Sequence, residues 1–324
     1  MQQDEVHTLS AVANRLQENI ERVIVGKGDV VTLALVAILC EGHLLIQDVP
    51  GTGKTVLAKA IARSLGCTFR RVQGTPDLLP SDITGAYVFN QQTSTFHFRP
   101  GPIMAQVVLV DEINRATPRT QSALLEAMQE HQVTVEGETM PLARPFLVMA
   151  TQNPVELEGT FPLPEAQLDR FLMQISLGYP SHEDDRAILR RFKEEDPLET
   201  LSPVVQGADL LELQSLVRKV RVSEPVEDYL ISLVHASRSH PMVELGASPR
   251  AMLALYHTSQ GLAAIRGRSF AIPDDVKALA HYVLVHRIIP KAQSQLRGAT
   301  ARDILRDVVN SIPVPVEEEA WAAR

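Results

Sequence analysis

Gly51, Gly53, Lys54 and Thr55 stand within five residues of one another in the stretch Asp48-Val49-Pro50-Gly51-Thr52-Gly53-Lys54-Thr55. Glycines let a backbone curl so that its N–H groups converge on an anion. A lysine adds a point charge, and a threonine hydroxyl suits Mg²⁺. The residues of such a phosphate cradle run from Pro50 through Gly51, Thr52, Gly53, Lys54 and Thr55 to Val56. One place departs from the usual pattern: Asp48 stands where the first glycine is common. A second chemical pair, Asp111-Glu112, follows the apolar run Val107-Val108-Leu109-Val110. Asp111 at a strand end is placed to hold Mg²⁺ through water, and Glu112 to polarise an attacking water as a general base. Alone, the pair would serve equally to open a solvated loop. Asn153, after the next apolar strand, offers an amide that can bond a terminal phosphate or orient water without adding charge. Ahead of Pro154 it is also a natural turn residue.

The arginines divide by setting. Arg170 lies beside Asp169 on an expected helix. Arg250 falls in the first turn of a helix capped by Ser248, where a cation opposes the macrodipole at a cost of about 0.3–1 kcal/mol, so an anion contact would explain it. Arg115 and Arg119, close after Glu112, are weaker candidates for reaching a neighbouring subunit. Val25-Gly26 breaks a helix ahead of the loop, either to touch an adenine or only to join two helices.

These residues need a strand before the loop and a helix after it. Leu44-Leu45-Ile46-Gln47 and Val56-Leu57-Ala58-Lys59-Ala60-Ile61-Ala62 read as that pair. Upstream, Leu9, Val12, Leu16, Ile20 and Val23 recur at helical spacing. Downstream, the expected strands are Thr68–Val72, the continuous apolar run Val107–Val110 of a central parallel strand, Pro145–Ala150 and a last run to Leu177. Helices are expected from Pro118 to Glu130, with Thr117 as cap, and over Glu165–Phe171. Period-two patterns around polar turns predict two hairpins, Tyr87–Phe98 and Val133–Leu142. Gly178-Tyr179-Pro180-Ser181 reads as a boundary, with Ser181 and Asp184 forming a capping box. Beyond it the apolar spacing is helical throughout. The expected organisation is an α/β nucleotide-binding domain over 1–180, a helical domain over 181–312 and a loosely held proline- and glutamate-rich tail over 313–324.

Bulk properties narrow the class. A net charge of −8 and a pI near 5.7 give no global pull towards nucleic acid or anionic membrane. Two cysteines without metal-ligand spacing suit a reducing cytoplasm. The acidic N-terminus lacks a signal-peptide plan, and the uncharged run Val30–Cys40 is too short to span a bilayer.

The ordered set Asp48–Thr55, Leu109-Val110-Asp111-Glu112-Ile113-Asn114-Arg115-Ala116, Ala150–Pro154, Leu163–Phe171, Gly246-Ala247-Ser248-Pro249-Arg250 and Asp275–Ala280 resembles the MoxR branch of the AAA+ ATPases over about residues 15 to 290. The resemblance implies a P-loop AAA+ domain, its parallel sheet between helices, followed by a C-terminal helical lid. It makes Lys54 and Thr55 part of Walker A and Asp111 and Glu112 Walker B. Asn153 resembles sensor 1, Arg170 the arginine finger given to an adjacent subunit, and Arg250 sensor 2. The hairpins resemble the helix-2 insert and pre-sensor-1 hairpin that face a ring pore. ATP and Mg²⁺ are the implied cofactors. A hexameric ring, partners with a von Willebrand factor A domain, and protein clients are the implied company.

An ATP-hydrolysing chaperone or remodelling motor is therefore the expected function. A nucleic-acid motor is the competing class, but the hairpin tips Asn90–Ser94 and Glu136–Glu138 carry no lysine or arginine. A metal-chelatase-type subunit is a near relative. A scaffold that switches on nucleotide without hydrolysis would have no use for Glu112 and Asn153.

Overall fold

The computed structural model describes residues 3–155, 159–193 and 196–315. In chain order its helices are α1 (Gln3–Glu21), α2 (Gly28–Leu39), α3 (Lys54–Ser64), α4 (Pro80–Thr84), α5 (Pro118–Glu130), α6 (Glu165–Leu168), α7 (His182–Arg191), α8 (Gly207–Val217), α9 (Glu224–Ser239), α10 (Pro249–Ile265), α11 (Pro273–Leu284), α12 (Ala292–Leu296) and α13 (Ala301–Ser311). The strands are β1 (Leu44–Gln47), β2 (Phe69–Gln73), β3 (Gly85–Asn90), β4 (Thr95–Pro100), β5 (Val107–Asp111), β6 (Gln132–Val135), β7 (Glu138–Pro141), β8 (Leu147–Gln152), β9 (Met173–Ile175), β10 (Val243–Leu245) and β11 (Ile289–Pro290).

Contacts divide the chain into two compact units, Ala11–Ser215 and Leu216–Arg324 with Met1–Ser10. The first is built on a five-stranded parallel sheet in the order β2-β5-β8-β1-β9. Its apolar strands need cover on both faces, and α2, with Val30 to Leu39 almost wholly buried, supplies part of it. Val107–Val110, Val148, Ala150, Leu124, Leu125 and Phe171 are among the buried side chains of this unit. Each such valine or leucine contributes about 1.5–3 kcal/mol. Both expected hairpins form, as β3–β4 and β6–β7. Tyr87 Oη donates to Glu138 Oε2 and ties one to the other.

The compact units part at Ser215, later than the expected boundary at Gly178–Ser181. Segments after α7 bond back to the sheet unit: Asn19 Nδ2 donates to Ser202 O at 3.1 Å, Val204 N to Ser64 O at 2.8 Å and Gln214 Nε2 to Ile38 O at 2.7 Å. The capping box at Ser181 and Asp184 is present. Thr117 is the N-cap of α5 as expected, but its side chain makes no capping bond, its hydroxyl lying 3.1 Å from Thr120 Oγ1.

The second unit packs α9, α10, α11 and α13 together. It is not helical throughout, since β10 and β11 pair antiparallel. At the start of α11 the fully buried Asp275 accepts from Arg266 at 3.0 Å, from Arg268 at 2.7 Å and from Ile272 N at 3.0 Å. Of the expected tail, residues 316–324 lie outside the described residues.

Candidate functional site

Along the carboxyl edge of the sheet, β2 ends in Gln73, β5 in Asp111, β8 runs into Asn153, and β1 leads into the glycine loop. In open α/β sheets this edge is where ligands settle. A cleft of about 460 Å³ opens there, lined by Pro50, Gly51, Gly53, Lys54, Thr55 and Val56 on one side and by Asp111, Glu112, Thr151 and Asn153 on the other, with Arg71 and Gln73 at the rim of β2.

Gly51 and Gly53 adopt φ of 85° and 90°, a region that side chains disfavour, and Gly53 is the N-cap of α3. No atom lies within 4 Å of where a Cβ would stand on either glycine, so the loop is open towards the cleft. The unpaired N–H groups of the first turn of α3 therefore face a space able to hold an anion. Lys54 Nζ reaches back to Val49 O at 2.7 Å and Asp48 O at 3.2 Å. Thr52 turns away from the cleft, its hydroxyl 3.3 Å from Val49 O.

The two carboxylates are held differently. Asp111 Oδ1 accepts from Thr151 Oγ1 at 2.6 Å, and Oδ2 accepts from Arg71 Nη2 at 2.6 Å. Arg71 is half exposed, so this ion pair is a modest energetic asset. Glu112 sits at φ 56° and ψ 51°, a left-handed conformation strained for a non-glycine residue. Its N–H donates to Thr151 Oγ1 at 2.8 Å and its carbonyl accepts Arg115 N at 2.9 Å, which fixes the corner. The Glu112 carboxylate receives Gln73 Nε2 at 3.0 Å and Arg115 Nη1 at 3.2 Å, both on Oε2. Gly74 packs beneath this corner, where a Cβ would stand 2.1 Å from Glu112 O.

Asn153 lines the cleft and is also a turn residue, its Oδ1 accepting Val155 N at 3.1 Å. That leaves the amide's NH₂ as its donating end. Arg170 does not line the cleft. It lies past the end of α6, which stops at Leu168, because Phe171 must turn into the core before β9 begins. Val25 and Gly26 form the turn between α1 and α2. Gly26, at φ 68°, is backed by Asp184, whose Oδ1 would lie 2.1 Å from a Cβ there. Arg250 occupies the first turn of α10 in the second unit, where Ser248 Oγ accepts Ala251 N at 3.0 Å. Arg115, considered for a neighbouring subunit, bonds Glu112 of its own chain.

Thr151, Arg71 and Gln73 escape a reading of motifs. The available signals were a threonine ending an apolar strand two residues before Asn153, and two long polar side chains alternating on β2.

Comparison with known proteins agrees with this fold. Residues 43–173 match the family model for the ATPase family associated with various cellular activities (AAA), and residues 235–308 match the AAA lid domain. The chain is 48% identical to the uncharacterized protein YeaC of Bacillus subtilis (strain 168), with 98% of each chain covered. It is 40% identical to the chaperone MoxR1 of Mycobacterium tuberculosis, covering 96% of this chain and 83% of that one. A crystal structure described as a candidate ATPase from Cytophaga hutchinsonii superposes with a TM-score of 0.90 at 36% identity, covering 97% and 98% of the two chains.

Proposed function

The chain belongs to the MoxR family of AAA+ ATPases, and from that premise we propose that it is an ATP-hydrolysing remodelling chaperone that works as a hexameric ring, completed at each cleft by a neighbour. The observation that carries the reading is the meeting of an open helix N-terminus with Asp111, Glu112 and Asn153 in one cleft. The backbone N–H groups from Gly51 to Val56, with Lys54, bind the phosphates. Thr55 and Asp111 offer oxygen donors to the same cleft, the ligand chemistry of a hard cation. Thr55 and Asp111 would hold Mg²⁺, which when bound would supply charge neutralisation to the phosphates.

Glu112 takes the proton of the attacking water. Gln73 and Arg115 both engage Oε2, so Oε1 is the oxygen that remains for this task. Asn153 orients that water or the terminal phosphate through its NH₂ group. Val25 and Gly26 lie against the adenine. Arg250 senses the terminal phosphate, and Arg170 acts on the cleft of the adjacent subunit. The partners on this reading are a von Willebrand factor A domain protein and protein clients, and the name of the relative MoxR1 supports the chaperone class. Among the described residues no helix is long and apolar enough to cross a membrane, in keeping with a cytoplasmic site of action.

Glu112→Gln tests the reading. The variant should retain ATP while turnover falls by about 10²–10⁴-fold, and it should hold client complexes in pulldowns. Turnover equal to that of the parent would overturn the assignment of Glu112. Stimulation of the parent by DNA at moderate salt would favour a nucleic-acid motor instead.

A further inference from the structure

Asp48 opens the phosphate loop, yet its side chain is built into the body of the domain. It is 6% exposed and directly follows β1. Its N–H donates to Gln152 O at 3.1 Å, which extends the pairing of β1 with β8 by one more rung. Its carbonyl accepts Lys54 Nζ at 3.2 Å. Its carboxylate spans two chain segments: Oδ1 accepts Val49 N at 2.9 Å, while Oδ2 accepts Leu177 N at 2.7 Å and Gly178 N at 2.8 Å. A carboxylate this deeply placed is tolerated because three N–H donors fill its lone pairs. The glycine more common at this place could make none of those side-chain bonds.

Leu177 and Gly178 form the exit from the edge strand β9, and the chain turns there at a Gly178 φ of 62°. The same exit touches a second part of the site. Lys27 Nζ donates to Tyr179 O at 2.9 Å, and Asp184 of α7 lies against Gly26. Leu177–Asp184 thus meets the phosphate loop through Asp48 and the Val25–Lys27 turn through Tyr179 and Asp184. These are the two places assigned above to the phosphate and adenine ends of the nucleotide.

We propose that Asp48 is a positioning residue that fastens the phosphate loop to the β9 exit, so that Leu177–Asp184 reads nucleotide occupancy from both ends and carries it into α7. The proposal rests on the nucleotide reading of the cleft. Rigid attachment explains why an acidic residue, which gains nothing from proximity to phosphates, stands at the mouth of an anion site. Its carboxylate is engaged by one amide of the loop, Val49 N, and by two beyond it, Leu177 N and Gly178 N.

The test uses the full chain, a fluorescent ADP analogue with Mg²⁺, and amide hydrogen exchange. In the parent, the nucleotide should slow exchange at Leu177 and Gly178. Asp48→Gly should weaken nucleotide binding by about 10²-fold through misplacement of the cradle. It should also make exchange at Leu177 and Gly178 fast and indifferent to nucleotide, while the β5 and β8 amides keep their protection. Asp48→Asn can still offer its one oxygen to Leu177 N and Gly178 N, at the loss of the Val49 bond, so it should retain the nucleotide-dependent slowing and bind nucleotide more tightly than Asp48→Gly. That variant carries the test if Asp48→Gly fails to fold. A purely structural role would lower protection throughout the unit and leave the nucleotide-induced change at Leu177 and Gly178 intact. The proposal is overturned by that pattern, or by an Asp48→Gly affinity equal to the parent's, or by an Asp48→Asn protein whose Leu177 and Gly178 ignore nucleotide. A parent chain that does not bind the ADP analogue would overturn the nucleotide reading itself, and this proposal with it.

Discussion

Thr151 shows how much of a catalytic corner can rest on one hydroxyl. It is buried, donates to Asp111 Oδ1 at 2.6 Å and accepts Glu112 N at 2.8 Å. The same oxygen thereby aims the carboxylate assigned to the metal and stabilises the left-handed backbone of the residue assigned as base. Thr151→Val keeps the shape and removes both bonds. Its expected signature is a kcat lower by about 10–100-fold, as for other residues that orient ligating groups, with nucleotide affinity changed far less. Steady-state kinetics beside equilibrium binding of an ATP analogue would separate the two. An equal loss in both would move Thr151 from orientation to binding. Cys67 behaves in the opposite way: burial pushes its thiol up to about 11, which makes it an inert filler.

At the scale of elements, the ends of neighbouring strands are packed so tightly that small additions propagate. Gly74 follows β2, donates its N–H to Asp111 O at 2.6 Å, and has no room for a Cβ against Glu112 O. Gly74→Ala should cost about 1–3 kcal/mol of stability by overpacking and lower kcat together with it. Thermal melting and turnover measure the pair. His43 joins three elements from the far end of the sheet. Its Nδ1 accepts Val148 N at 3.0 Å, which fixes the proton on Nε2, and Nε2 donates to Met128 O at 3.0 Å. Burial, opposed in part by the Met128 bond and aided by the charge of His131, lowers its pKa from 6.5 to about 4. Because the unfolded chain then binds the proton more readily, this contribution is full above pH 6.5 and lost as the pH falls towards 4. It amounts to about 3 kcal/mol over that window. Denaturant melts of the parent and of His43→Asn, read at pH 7 and pH 4.5, should show a smaller pH loss in the variant. Equal slopes would remove His43 as the cause.

At the scale of the whole molecule, every residue that lines the cleft, Arg71 included, comes from one unit of the chain. Arg170 is not among the residues that line the cleft of its own chain, and the role proposed for it is on the cleft of a neighbour. Turnover should therefore rise with assembly, and Arg170→Ala should lower it by about 10³–10⁵-fold with nucleotide binding preserved. Activity measured across a dilution series, beside the sedimentation of each sample, checks this. A monomer as active as the assembled form would remove Arg170 from the mechanism. The hairpin β3–β4 presents Phe89 and Phe96, both exposed, and is joined to β6–β7 through Tyr87 and Glu138.

The sequence by itself determined the parts whose chemistry is local. A strand, a glycine turn and a helix start form Asp48–Thr55 within a few residues, and an apolar run ending in Asp111-Glu112 is a strand end wherever it is placed. The same holds for the hairpins, whose register follows from period-two patterning. Tertiary structure decided what depends on residues distant in the chain. Arg71 reaches Asp111 across 40 residues and Asp48 reaches Leu177 across 129. The strand order β2-β5-β8-β1-β9 sets those meetings, and no local propensity encodes it. Arg170 likewise lies two residues past the end of α6, directly ahead of the fully buried Phe171. Asp48 marks the division most clearly. Its type was visible as a departure from the phosphate-loop pattern, but its use became visible only when β9 closed the sheet beside it and brought two amides within reach of its carboxylate.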